Sequence, residues 1–435
     1  LARYVWRLRM PCNIEGLAPS PVLRGARAFR FQRRDLGALV RAADQFVVRR
    51  GSGPGALGEA EARLTLAVLK YARHARGGRF DPTRLSDALD RTPNLIEPAK
   101  LLAAIATAHQ ADDHLRKLHP QHPQFERLRQ LYLAVRAGKF DAPPPPAVEE
   151  AEQPVKGRKG RRSAKVNKPV TPPALTAERV LVNMEQWRWM PEDLGRLHAM
   201  VNIPEYTLRV VKDDATIHTE RVVVGTPTNP TPIFSKEMQT VVFQPGWGVP
   251  SGIKVKELLP RLLAGGDPIS GRGLVVRHRG RDTHPSSIDW RSVDIRKVSI
   301  VQPPGPRNAL GMVKFLFPNK HDVYMHDTPS KSLFNAETRA FSHGCVRVRN
   351  PMRFAEIVFA ETAGWAPARV ASLARGKPEN QVSVPAPLSV HMTYFTVTVD
   401  ATGKVQTFRD VYGHEPRIRA GLEGRIDKVA RKSEN

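Results

Sequence analysis

A proline-rich and charged stretch at residues 141–173 divides this chain into two parts that must fold separately. It contains four consecutive prolines, Pro143–Pro146, and then three glutamates. Seven lysines and arginines follow between Gln153 and Pro169 with no acidic residue among them. Such a segment has too little apolar surface to offset the entropy of ordering it, and proline-rich stretches act as extended spacers. We therefore predict a disordered linker at 141–173.

The part before the linker has apolar residues at helical spacing. Residues 58–75 place Leu64, Val68 and Tyr71 on one face, and glycines follow directly. This pattern is typical of amphipathic helices that end at glycine. We predict an all-helical domain at 25–140, preceded by a leader at residues 1–24.

The part after the linker has the pattern of a β-rich domain. Segments at 201–211 and 216–225 alternate in polarity and are rich in β-branched residues, which predicts strands. A hairpin at 390–409 is predicted to complete the sheet. The fold class is therefore multidomain α+β, with a β-rich domain and its packing helices at 174–412 and a loose basic tail at 413–435.

One long segment of the β-rich part lacks a clear period. Residues 265–294 are polar and contain few regularly spaced apolar residues. Long segments without regular structure are commonly functional loops. We predict a mobile flap beside a substrate cleft here.

Two histidines lie near one of the chain's two cysteines. A thiol attacks a carbonyl at neutral pH only when another group takes its proton, so His326 and His343 make Cys345 a candidate nucleophile. Gly344 permits a sharp turn, and the amides of Gly344 and Cys345 are predicted to face a developing oxyanion. Arg347 adds positive charge that favours thiolate and suits a substrate carboxylate.

Three other interpretations of Cys345 compete with this one. A lone cysteine is often a small buried hydrophobic residue. A zinc site built from His321, His326, His343 and Cys345 is conceivable, although no CxxC or HExxH motif supports it. A disulfide with Cys12 would require a remote segment to reach the site. We favour the nucleophile because both histidine motifs accompany the thiol.

These motifs resemble the signature of a known family. The pattern His326-Asp-Thr-Pro, followed by Ser342-His-Gly-Cys345-Val-Arg-Val, is similar to that of the L,D-transpeptidase catalytic domain (YkuD type), from bacterial enzymes that cross-link peptidoglycan. The separation of 345 − 326 = 19 positions fits the family. Residues 71–82 and 118–125 resemble the helical scaffold domain of its longer members.

The resemblance implies a role for each motif residue. Cys345 matches the acylated nucleophile and His326 the general base, while the backbone carbonyl of Asp327 orients the imidazole. Gly344 supports the oxyanion. The other residues that we assign to the pocket are Ser342, His343, Arg347, Tyr324 and Asn308.

The implied reaction is acyl transfer from tetrapeptide stems of peptidoglycan, with loss of D-alanine and formation of 3-3 cross-links. It needs no metal or organic cofactor, and carbapenem-type β-lactams are expected as covalent inhibitors. Two alternatives stay open. The same Cys/His pair suits an L,D-carboxypeptidase or a hydrolase of wall cross-links or protein-wall links, and a wall-binding structural module would leave the thiol idle.

Charge and hydropathy bear on partners and location. The formal charge is +26, from 68 Lys+Arg against 42 Asp+Glu, so the surface attracts polyanions. No RNP, zinc-finger or Walker pattern accompanies the arginines, and we predict no nucleic-acid partner. No apolar run reaches 18 residues, which predicts no transmembrane helix. From the family we expect a periplasmic or cell-envelope location, with a signal or anchor upstream of residue 1.

Overall fold

The computed structural model describes residues 54–109, 111–140, 173–278 and 280–426. The chain groups into two compact units. Of the described residues, the first unit contains those up to Ser86, those within Arg91–Glu192 and those from Phe395, and the second contains those within Asp87–Asp90 and Asp193–Tyr394. The predicted leader at 1–24 and nearly all of the predicted linker lie outside the described residues.

The helices are α1 (Pro54–Gly77), α2 (Pro98–Thr107), α3 (Ala111–Arg116), α4 (Pro123–Arg136), α5 (Ala177–Arg188), α6 (Ser251–Ile253), α7 (Leu259–Leu263), α8 (Pro351–Ala363), α9 (Pro367–Arg375) and α10 (His414–Leu422). The strands are β1 (Leu197–Asn202), β2 (Thr207–Lys212), β3 (Ala215–Gly225), β4 (Phe234–Glu237), β5 (Thr240–Phe243), β6 (Trp247–Gly248), β7 (Val275–His278), β8 (Arg281–Thr283), β9 (Ser299–Gln302), β10 (Val313–Leu316), β11 (Met325–His326), β12 (Ala340–Ser342), β13 (Val346–Val348), β14 (Asn380–Ser383), β15 (Ser389–Thr393), β16 (Val397–Val399) and β17 (Val405–Thr407). None of these helices is both long and apolar enough to cross a bilayer.

The described residues before the predicted linker are helical, which confirms the predicted fold class for this part of the chain. The apolar face of α1 presents residues at helical spacing to α2 and α3. The buried cluster that results contains Leu64, Val68, Ala72, Ala75, Leu101, Ile105, Leu115 and Leu118.

The boundary predicted at residue 174 is wrong, because α5 belongs to the first unit. The Asn183 carboxamide on α5 accepts from the Thr396 amide at 2.8 Å and donates to the Thr396 hydroxyl at 2.9 Å. The Trp187 indole stacks on the Phe395 ring with centroids 4.7 Å apart. These contacts join segments that are remote in sequence, and local patterns carry no information about them.

The predicted hairpin at 390–409 is split between the two units. β15 pairs in parallel with β1 in the main sheet of the second unit, whereas β16 and β17 pair with each other as a separate two-stranded sheet. The hairpin exists, but it does not complete the main sheet.

The predicted loose tail after residue 412 is also wrong over the length of α10. This helix buries Ile418, and the Glu415 carboxylate accepts from the Arg179 guanidinium at 2.8 Å. Its few apolar positions lie among charged residues, which is why its sequence looks like a solvated tail.

The main sheet of the second unit runs in the order β14-β5-β10-β11-β13-β3-β2-β1-β15-β4, with β12 beside β3. Most pairs in this sheet are antiparallel, but β11 and β13 are parallel, as are β1 and β15 and also β3 and β12. Parallel neighbours need a crossover of about a dozen residues or more. The chain between His326 and Val346 provides it, through a 3-10 helix at Lys331–Asn335 and β12.

Helix α8 covers one face of this sheet. The Phe354 ring lies 4.7 Å from that of Phe315 on β10, and the Phe359 ring 6.3 Å from that of Phe243 on β5. All four side chains are fully buried. Because β10 neighbours β11, this packing supports the strand that ends at His326.

The predicted mobile flap is instead part of a packed region, which we term the small-sheet region (residues 247–302). Its strands pair in the order β6-β9-β7-β8. Short strands and 3-10 turns carry its apolar residues, so no single period exposes them in the sequence. Its buried core contains Val249, Leu258, Leu262, Ile269, Leu274, Val276, Ile288, Trp290, Ile295, Val298 and Ile300.

Candidate active site

The parallel ladder of β11 and β13 brings together the segments that carry the two main candidate residues. Met325 pairs with Val346, and His326 pairs with Arg347. Met325 and Val346 are fully buried. Because successive side chains of a strand alternate between faces, His326 and Arg347 lie on the opposite side. Cys345 directly precedes β13, and the Arg347 charge acts on its thiol. With neighbouring strands about 4.8 Å apart, the Cα atoms of His326 and Cys345 are separated by about 8 Å.

The Cys345 thiol is half-buried and hydrogen-bonded. Its Sγ lies 3.9 Å from the Asp322 carbonyl oxygen, and the backbone amide and hydroxyl of Tyr324 both bond to the sulfur. Burial raises the pKa of Cys345 to about 11, although the Tyr324 hydrogen bonds and the Arg347 charge act in the opposite direction. The thiol is therefore protonated at neutral pH and needs a base.

The His326 imidazole is in the protonation state that a base requires. Its Nδ1 contacts the backbone carbonyl oxygen of Asp327, which is the contact that the resemblance predicts. Burial and then the Arg347 charge lower the pKa of His326 to about 3. The ring is thus neutral at pH 7, and bonding at Nδ1 leaves Nε2 as the nitrogen for proton exchange.

The Asp327 side chain has contacts that the resemblance does not predict. Its carboxylate is buried and accepts from the Met312 amide at 2.9 Å and the Thr328 amide at 2.7 Å, and it pairs with the Lys331 ammonium. Gly311 has φ +59, and a Cβ there would lie 2.3 Å from Asp327 Oδ2. The Asp327 carboxylate thus holds the backbone at Met312, before β10, and at Thr328, after His326.

The role predicted for the Gly344 amide does not fit the structure. Gly344 has φ +117, which favours glycine, but its amide donates to Ser342 Oγ at 3.1 Å. The Ser342 hydroxyl donates to the Cys345 carbonyl, and Thr231 Oγ1 donates to the Gly344 carbonyl at 2.7 Å. Gly344 and the buried Ser342 therefore shape the cysteine turn, and Cys345 provides the remaining candidate oxyanion amide.

The predicted pocket residue Asn308 is buried within its own loop. Its Nδ2 donates to the carbonyls of Gln302 and Pro303, and its Oδ1 accepts from the Leu310 amide at 2.8 Å. Only 1% of its surface is exposed. The pocket prediction for Asn308 is wrong, because the side chain stabilises the loop before β10.

His343 and Arg347 differ in their surroundings. The exposed His343 bonds through Nε2 to Glu257 at 2.6 Å, on the π-helical turn Lys254–Leu258 of the small-sheet region. Arg347 is half-buried, and its Nε has no hydrogen-bond partner among the described residues. Its charge acts on both His326 and Cys345.

Trp247 is a site residue that sequence reasoning missed. Its side chain hydrogen-bonds to the Tyr324 hydroxyl, which in turn bonds to Cys345. The signal in the sequence was an indole between two glycines, in Pro245-Gly-Trp-Gly, where the small neighbours leave the ring accessible. Its position beside the thiol depends on the pairing of β6 with β9.

Two regions of this chain are similar to known protein families. Residues 196–362 match the family model of the L,D-transpeptidase catalytic domain, YkuD, and residues 19–131 match that of the Scaffold domain. A Haemophilus influenzae protein provisionally named as an L,D-transpeptidase is 31% identical over 242 residues, which cover 55% of this chain and 49% of that protein. The chain thus spans about half the length of this curated relative.

Several solved L,D-transpeptidase structures are also similar to this chain, at lower identity. An L,D-transpeptidase from Mycobacterium smegmatis is 17% identical with a TM-score of 0.21, and covers 45% of this chain and 58% of that one. L,D-transpeptidase 3 from Mycobacterium tuberculosis is 13% identical with a TM-score of 0.22, and covers 45% and 60%.

The second half of this chain is therefore similar to the YkuD-type catalytic domain of L,D-transpeptidases. The region that matches the Scaffold domain precedes residues 141–173, and the region that matches the catalytic domain follows them.

Proposed function

We propose that this protein is a peptidoglycan L,D-transpeptidase that works through an acyl-enzyme on Cys345. The observation that carries the proposal is the parallel pairing of β11, which contains His326, with β13, which directly follows Cys345. The neutral imidazole and the protonated thiol are the two partners that general-base activation of a nucleophile needs.

In the first half-reaction, His326 Nε2 takes the thiol proton as the sulfur attacks the carbonyl carbon of the third stem residue. The peptide bond to the terminal D-alanine breaks, and the leaving amine receives that proton from the imidazole. A thioester on Cys345 remains. The Cys345 amide donates to the oxyanion during attack.

In the second half-reaction, the side-chain amine of another stem attacks the thioester. His326 takes a proton from this amine, the C–S bond breaks, and the sulfur is reprotonated. The product is a 3-3 cross-link. Because the pKa of the thiol is raised and that of the imidazole is lowered, proton transfer accompanies attack and a stable ion pair does not precede it.

The substrate class implies location and inhibition. Peptidoglycan stems lie in the cell envelope, so we propose that the protein acts there. A carbapenem presents a strained carbonyl to the same sulfur, and we propose that it forms a thioester with Cys345.

The test is incubation of the purified protein with disaccharide tetrapeptide, followed by mass spectrometry of the products. A cross-linked dimer with release of D-alanine supports transfer. Tripeptide without dimer would indicate a carboxypeptidase with the same pair, and unchanged substrate in all conditions would overturn the proposal. The Cys345→Ala protein is the negative control.

A further inference from the structure

The small-sheet region contains a cavity of about 410 Å³ that the proposed chemistry does not use. Apolar side chains form much of its lining, among them Trp247, Leu258 and Leu274. Arg272 and Arg307 also line it, and both are exposed residues. An apolar cavity with a few polar groups at one side is the usual form of a ligand site.

The backbones of the two arginines are held in place, but their guanidinium groups have no counter-ion among the described residues. Gln302 Nε2 donates to the Arg272 carbonyl at 2.9 Å and to the Arg307 carbonyl at 3.0 Å. Gln302 is buried. Neither guanidinium forms an ion pair or hydrogen bond with any residue in the described ranges. Two cations without counter-ions beside one cavity favour an anionic ligand.

The cavity is connected to the nucleophile by two routes. Trp247 bonds to the hydroxyl of Tyr324, which bonds to Cys345. On the other side, Glu257 precedes the cavity residue Leu258 and bonds to His343, two positions before the thiol. Residues of the cavity lining are thus linked by these contacts to the immediate surroundings of Cys345.

We propose that this cavity binds a free carboxylate of the donor stem peptide through Arg272 and Arg307, and so positions the stem for attack by Cys345. Guanidinium groups match carboxylates with paired hydrogen bonds. The inference rests on the proposed function, since it names the part of that substrate which the cavity recognises. It makes Arg272 and Arg307 specificity-determining residues.

The test measures binding of an uncleaved tetrapeptide to the full-length Cys345→Ala protein by isothermal titration calorimetry. In that background, Arg272→Gln and Arg307→Gln should each weaken binding about ten-fold or more, because each removes a charged hydrogen bond. Arg277→Gln is the matched control, since Arg277 is an exposed arginine of the same region that pairs with Asp282 and lies outside the cavity lining. It should leave binding unchanged.

A second arm uses tetrapeptides amidated at one carboxylate at a time. One of these peptides should bind more weakly to the Cys345→Ala protein that retains both arginines. Its affinity should not fall further when Arg272 or Arg307 is replaced by Gln. Equal losses with every amidated peptide, or no loss with Arg272→Gln and Arg307→Gln, would overturn the proposal.

The outcome is separable from that of the proposed function. Binding that depends on both arginines, without cross-linked product from the wild-type enzyme, would uphold the carboxylate site and reject transfer. Formation of cross-linked product with an unchanged KM in both arginine variants would uphold transfer and reject the carboxylate site.

Discussion

The Tyr324 hydroxyl hydrogen-bonds to the sulfur of Cys345, while the backbone amide of the same tyrosine bonds to it as well. In the register of the parallel ladder, Tyr324 stands opposite Cys345, one pair before Met325 and Val346. One residue therefore supplies both contacts that favour a thiolate at a site where burial disfavours it.

Replacement of Tyr324 by Phe should raise the pKa of Cys345 further above about 11, because one of the two hydrogen bonds is lost. We expect alkylation by iodoacetamide at pH 8 to slow several-fold. Tyr132→Phe on α4 in the first unit is the control and should not alter the rate. A faster reaction in Tyr324→Phe would contradict the role of the hydroxyl.

The pH at which activity falls on the acid side should lie far below the usual pKa of a histidine. Burial and the Arg347 charge lower the pKa of His326 to about 3, so the imidazole stays neutral as the pH falls from 8 to 5. We predict a kcat/KM that is nearly constant over this interval. An inflection near pH 6.5 would show that His326 titrates like an exposed histidine.

Loss of His326 should lower transfer by about 10²-fold or more, the usual effect of removing a general base. His326→Gln tests this, measured as the rate of cross-linked dimer formation. His343→Gln is the comparison, because His343 is exposed and bonds to Glu257. If both variants lost equal activity, His326 could not be the specific base.

Asp327→Ala should destabilise the second unit by about 1–3 kcal/mol, because buried donors at Met312 and Thr328 lose their acceptor. Activity should fall less than in His326→Gln, since the backbone carbonyl that contacts the imidazole is retained. Thermal unfolding and dimer formation measure the two effects. Unchanged stability in Asp327→Ala would refute the structural role of the carboxylate.

Asp90 should influence the thiol through the loop before β11. Its carboxylate accepts from Lys320 Nζ at 2.8 Å and His321 Nε2 at 2.9 Å, and the next residue, Asp322, contacts Cys345 through its carbonyl. We expect Asp90→Ala to alter the alkylation rate of Cys345. The matched control is Asp282→Ala on β8, whose carboxylate pairs with Arg277. Equal alkylation rates in both variants and wild type would show that the loop holds its shape without Asp90.

Local sequence patterns were sufficient for regular elements with a clear period. The helix predicted at 58–75 lies within α1, and the strand predicted at 216–225 is present as β3. The direction of the Gly344 amide could not be predicted, because it depends on the Ser342 hydroxyl in a turn of left-handed backbone. The parallel pairing of β11 and β13 could not be predicted either, because it joins strands that are distant in sequence.

Other differences arose where the core is assembled from scattered residues. The small-sheet region buries Ile269, Trp290 and Ile300 from separate short elements, so no window of sequence shows its apolar face. Helix α5 belongs to the first unit because Asn183 and Trp187 contact residues more than 200 positions away in the sequence. Such contacts leave no periodic signal.

The central claim is that the Cys345 sulfur carries the acyl group, and intact-mass spectrometry with peptide mapping tests it most directly. After a brief incubation with tetrapeptide donor alone, we predict an added mass equal to the disaccharide tripeptide acyl group, located on the peptide that contains Cys345 and absent from Cys345→Ala. Release of D-alanine by the Cys345→Ala protein, or an adduct on another residue, would contradict the account.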